Sequence, residues 1–128
     1  MITGNRQGKL AADLHTKNHQ IVAGLSEKIG GNDEGMNPHQ IIEAGLTACT
    51  ILTCQMYADK KGWPLKNTKV TVKITTEEVS GAVFQRDIVF EGDLTQEQKE
   101  KLLEIANKTP VYNLLTRPIS IRSQILSE

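Results

Sequence analysis

Asn37–Leu65, NPHQIIEAGLTACTILTCQMYADKKGWPL, is the stretch whose reading decides the fold. Asn37 is a good N-cap, Pro38 suits the first helical position, and Gln40 falls where a capping box wants Glu or Gln. Ile41, Ile42, Ala44, Leu46, Ala48, Cys49, Ile51, Leu52, Met56 and Ala58 make the following residues apolar almost all round. The only charge before Asp59 is Glu43, and Gly62-Trp63-Pro64 stops the helix. A helix of this kind is expected to be buried on more than one side. Cys49, near its middle, is either packing or chemistry.

The rest of the chain bounds that choice. With 128 residues it is expected to form a single domain over 1–128 with one core. Basic and acidic residues balance at a formal charge of zero, so no basic excess points to nucleic acid or anionic lipid. No uninterrupted apolar run approaches the ~20 residues that span a bilayer. Met1 leads into Thr3, Gly4 and Arg6 without an apolar signal region. The expectation is a soluble cytoplasmic protein that engages neither membrane nor nucleic acid. Five helical positions separate Cys49 from Cys54 by ~140° and ~7.5 Å, which opposes a disulfide between them. His15, His19 and His39 are scattered and no paired-ligand motif occurs, so neither a metal nor another cofactor is expected.

Outward from the helix, Lys9–His15 and His19–Gly24 read as short strands around a Thr16-Lys17-Asn18 turn. Gly30–Gly35 is glycine-rich but lacks P-loop spacing, which favours a flexible loop. After the helix, Val70, Val72 and Ile74 alternate with polar residues as a half-buried strand. Ser80-Gly81 turns the chain into Val83–Glu91, where Arg86 interrupts a face carrying Phe84, Ile88 and Phe90. A bulge, or an edge position from which the guanidinium reaches water, accounts for it. Thr95–Gln98 opens a helix with Leu102, Leu103, Ile105 and Ala106 on one face. Val111–Leu115 reads as a helical turn, and Pro118 begins a last strand through Ile119, Ile121 and Ile125. The layout is α+β, with antiparallel sheets around the long central helix. One chain has too few strands to cover that helix, so a homodimer is expected to supply the missing wall. Met56, Tyr57 and Trp63 are assigned to core packing.

Ala44–Cys49 (AGLTAC), Met56–Leu65 (MYADKKGWPL), Phe90–Leu94 (FEGDL), Ile105–Leu115 (IANKTPVYNLL) and the opening Gly4–Gly8 together resemble the OsmC/Ohr family of osmotically inducible and organic hydroperoxide resistance proteins. The resemblance implies an intertwined α+β homodimer and thiol-based reduction of organic hydroperoxides. It places the attacking cysteine on Cys49 and its counter-charge on Arg6. The glutamate that the family carries at the helix start falls on His39, with Glu43 one turn further in as a possible substitute. The family's second cysteine falls on Thr109, which forms no disulfide. The implied reaction is therefore a one-cysteine cycle that consumes an external thiol reductant. The alternative is a non-enzymatic dimer of the same fold, either holding a small apolar ligand or serving a structural role.

Overall fold

A computed structural model describes residues 1–127. The architecture is α+β, with five strands in two sheets, three α-helices and a 3₁₀ turn among the described residues. Contacts group the chain into two units, the first comprising Met1–Gly45 with Lys73–Phe84 and the second Leu46–Val72 with the chain from Gln85 onward.

In the first unit, β1 (Thr3–Gln7), β2 (Ala11–His15) and β3 (Gln20–Gly24) form an antiparallel sheet in that order. β1 does not announce itself in sequence, because TGNRQ has no apolar alternation and every residue is exposed. Pairing makes it a strand: Thr3 opposes His15 and Gln7 opposes Ala11. The following glycine-rich loop is not the flexible tether expected. Gly24 donates its N–H to Met36 O at 3.0 Å, Asp33 to Leu25 O at 2.9 Å, and Ala23 bridges Met36 in parallel. The glycines permit this close approach: a Cβ on Gly35 would stand 1.9 Å from Val22 O, and one on Gly31 2.0 Å from Leu25 O.

The central helix, α1, runs Pro38–Lys61. Its start is the expected reciprocal cap: Asn37 Oδ1 accepts from Gln40 N–H at 2.9 Å, and Gln40 Oε1 accepts from Asn37 N–H at 3.0 Å. Its end is a Schellman arrangement, with Gly62 at φ 71°, Trp63 N–H on Ala58 O and Gly62 N–H on Asp59 O. By length and composition this helix could cross a bilayer, although it contains no uninterrupted apolar run of that length. Its own chain buries only Leu46, Thr50, Cys54 and Ala58, one stripe at four-residue spacing.

β4 (Leu65–Glu78) and β5 (Gly81–Gly92) form a two-stranded sheet with the expected alternation of covered and exposed side chains. α2 (Gln96–Ala106) carries the capping box of Thr95 and Gln98, and α3 (Pro110–Leu115) follows directly. The core of the second unit gathers Cys54 and Ala58 with Leu65, Leu102 and Ala106, flanked by Tyr57, Trp63, Ile88, Phe90 and Leu94. Tyr57 and Trp63 meet edge to face at 5.6 Å. Met56, expected inside, is 54% exposed. The last strand is also absent. Residues 118–127 carry no regular structure, and Ile119, Ile121 and Ile125 are all exposed. The alternation is present, but the segment pairs with no strand of either sheet.

Candidate functional site: the Cys49 face of the central helix

Helical periodicity sorts the residues of α1 into opposed faces. Ile42, Gly45, Cys49, Leu52 and Met56 recur at alternating intervals of three and four, while the buried stripe lies on the far side. Cys49 is half-buried in the uncovered face, and Thr53 Oγ1 stands 3.8 Å from its Sγ. Cys54 has no exposure and donates its S–H to Leu102 O at 3.6 Å. Burial pushes the Cys54 thiol up to about 11, against a smaller opposing pull from the Arg86 guanidinium. Both cysteines are free.

The two candidates for the family's helix-start carboxylate are both engaged with β4. His39 Nε2 lies 2.7 Å from Glu77 Oε1, with both side chains more than half exposed. Such a pair adds little stability. Glu43 Oε2 accepts the backbone N–H of Ile74 at 2.8 Å, an ionic hydrogen bond that fixes the carboxylate. His39 thus has a carboxylate partner of its own, and Glu43 brings a carboxylate one helical turn further in.

Arg6 stands on β1 opposite Ala12 and has no ion-pair partner among the described residues. Beside it, Leu10, Ala12, Ala23, Leu25 and Pro38 line an apolar cavity of about 230 Å³. Arg6 belongs to the first unit and Cys49 to the second.

Thr109 is completely buried and is the N-cap of α3, its Oγ1 accepting from Tyr112 N–H at 3.3 Å. Position 109 therefore carries a capping hydroxyl in place of a thiol.

Arg86 lies on β5, an edge strand of its two-stranded sheet. Its half-buried guanidinium is held by other elements, where the strand pattern alone suggested only a bulge or a reach to water. Its Nη1 donates to Thr50 Oγ1 at 3.2 Å and to Ala106 O at 3.1 Å, and its Nη2 to Asn107 Oδ1 at 2.6 Å. Its Cζ lies 5.3 Å from the centre of the Tyr112 ring. Burial draws the guanidinium below its ordinary value, while Tyr112 and Cys54 oppose that shift. An inward Arg on an otherwise apolar strand face was visible in sequence. Its partners, spread over three other elements, were not.

This α+β arrangement of a three-stranded sheet, a long capped helix, a strand pair and two short helices defines a fold class shared with solved structures. An OsmC-like protein from Mycoplasma pneumoniae is 16% identical, with a TM-score of 0.73 over 91% of this chain and 86% of that one. An organic hydroperoxide resistance protein from Elizabethkingia anophelis is 23% identical, with a TM-score of 0.64 over 89% and 86%. An organic hydroperoxide resistance protein OsmC from Legionella pneumophila is 20% identical, with a TM-score of 0.54 over 89% and 88%. No curated protein matches the sequence. The family described as OsmC-like protein matches residues 30–124, and the chain belongs to that family.

Proposed function

We propose that this OsmC-like protein reduces organic hydroperoxides through Cys49, in a one-cysteine cycle within a homodimer. The observation that carries the reading is the contrast between its thiols: Cys49 lies half-buried on an uncovered helix face, and Cys54 is sealed in the core. The Cys49 thiolate attacks the outer oxygen of ROOH. The O–O bond breaks, RO⁻ leaves and takes up a proton as ROH, and Cys49 becomes a sulfenic acid. One external thiol condenses with the sulfenic acid, releasing water and leaving a mixed disulfide. A second thiol displaces the first, restoring Cys49 and leaving the reductant as its disulfide. Arg6 supplies the counter-charge that the family resemblance assigns to it, and Glu43 the helix-start carboxylate. With Thr109 at the position of the family's second cysteine and Cys54 sealed in the core, no second thiol of the chain intervenes.

Two features support the second copy. The Ile42/Gly45/Cys49/Leu52/Met56 face has the a/d spacing of a helix-pairing seam, yet Ile42, Leu52 and Met56 are 46%, 67% and 54% exposed. The exposed alternation of Ile119, Ile121 and Ile125 is a strand pattern that pairs with neither sheet of its own chain. Both are completed by another chain of the same sequence. Nothing lies within 4 Å of a Cβ placed on Gly45, so this position, one turn from the thiol, is open on the surface of its own chain. The same face gives α1 its membrane-like composition, and we read it as a protein seam. The apolar cavity beside Arg6 favours a second reading, a dimer that holds a small apolar ligand without chemistry.

Intact mass after one equivalent of cumene hydroperoxide, with a sulfenic-acid trap, tests the chemistry. One adduct per chain on Cys49 is expected, with no intrachain disulfide. Cys49→Ser abolishes the adduct and Arg6→Ala slows its formation. An unchanged mass, under conditions that oxidise a small free thiol, would leave the ligand-binding reading in place.

A further inference from the structure

We infer that Thr53 is a positioning residue for Cys49, its hydroxyl supplying the hydrogen bond that steadies the thiolate. The inference rests on the reading of Cys49 as the reacting thiol and adds a residue to that site. Thr53 lies one turn beyond Cys49, and its Oγ1 is 3.8 Å from Sγ, a sulfur hydrogen-bond distance. In the neutral thiol either atom can donate. Once Cys49 gives its proton to solvent, sulfur only accepts, and Thr53 O–H is the donor. A hydrogen bond made to the ionised form favours ionisation.

The alternative use of a helical threonine hydroxyl is to bond the carbonyl four residues back, and α1 shows that use as well. Thr50 donates to Leu46 O at 2.7 Å and receives Arg86, so its hydroxyl is committed to the core. Thr53 Oγ1 is directed to Cys49 Sγ instead, on the uncovered side of the same helix. Three residues apart, two threonines put the same group to different uses, and the one beside the uncovered thiol faces it. Valine has the same shape as threonine and lacks the donor. Serine keeps the donor and loses only a methyl.

The test is alkylation of Cys49 against pH in the full-length protein, read by mass at that residue, for the native chain, Thr53→Val and Thr53→Ser. The midpoint of the Thr53→Val profile should move alkaline by ~0.5–1 pH unit, the scale of one hydrogen bond, with reaction near pH 7 slowed about two- to tenfold. Thr53→Ser should restore the native profile to within about twofold. A purely structural role would change melting temperature and leave the midpoint in place. Coincident native and valine profiles, or serine and valine profiles that match each other, would overturn the inference. Peroxide consumption is measured in parallel. A shifted valine profile without peroxide reactivity would retain Thr53 and remove the hydroperoxide reading. Peroxide reactivity with coincident profiles would do the reverse.

Discussion

Cys49 and Cys54 share a helix, a residue type and an apolar sequence context, yet the fold gives them opposite surroundings. Cys54 sits among Ala58, Leu65, Leu102 and Ala106, and its thiol is tied to a backbone carbonyl. Cys49 sits between Gly45 and Thr53 on a face that its own chain leaves uncovered. The lesson is that an all-round apolar helix is not one environment. One face is satisfied by α2 and the sheet, and the other is apolar but left exposed by its own chain.

The hardest blow to that contrast falls on the uncovered face. Leu52→Lys places an ammonium in the middle of the seam, twice per dimer. Burying an unpaired charge costs ~3–5 kcal/mol for each site, so dimer affinity should fall by about four orders of magnitude or more. Light scattering at micromolar concentration should give a dimer for the native chain and a folded monomer for the variant. A native monomer, or a variant that stays dimeric, would remove the pairing role from this face.

Leu102→Ala attacks the other face. Leu102 has no exposure and carries the carbonyl that receives the Cys54 thiol. Truncation leaves a cavity against α1 and should destabilise the fold by ~2–5 kcal/mol, measured by denaturant unfolding. It should also expose Cys54 to alkylation by opening the core. A loss under ~1 kcal/mol would mean that this face is less tightly packed than its burial implies.

Sequence and structure agree where the determinants are local. Asn37 and Gln40 begin α1, Gly62 ends it, and Thr95 with Gln98 begins α2, each by hydrogen bonds within a few residues. Distant determinants were not legible. β1 exists because β2 pairs with it, and the Gly30–Gly35 loop is ordered because β3 receives it. The terminal Ile119–Ile125 alternation has the pattern of a strand but pairs with neither sheet. The candidate site divides in the same way. That Cys49 and Cys54 face different directions follows from 3.6-residue periodicity, and the Cys49–Thr53 pair from a spacing of four. Which of the two faces the chain covers depends on Leu102 and Ala106, with Leu102 standing 48 residues from Cys54. Arg86 shows the same limit, since no local pattern reveals that its partners are Thr50, Ala106, Asn107 and Tyr112.

The smallest expected effect concerns the sealed thiol in alkali. Cys54 ionises at about 11 in the folded protein, against an ordinary value of 9.0, chiefly because burial penalises the thiolate. Below pH 9 the group is protonated in folded and unfolded chains alike, so it contributes no pH dependence there. Between pH 9 and about 11 the unfolded chain releases the proton while the folded chain retains it. The unfolded state then binds fewer protons, and stability falls as pH rises. The contribution is therefore complete below pH 9 and is lost by the time the folded thiol itself ionises near 11. Unfolding free energies for the native chain and Cys54→Ala, compared across pH 7.5–10.5, isolate this effect from other alkaline transitions. The difference between the two should be flat to pH 9 and then narrow, with the native chain losing its advantage. The same series on Cys49→Ala serves as the control from the opposite face. If Cys54→Ala shows the same alkaline slope as the native chain, the thiol is not sealed as its position indicates. Cys49 and Cys54 would then differ in direction alone.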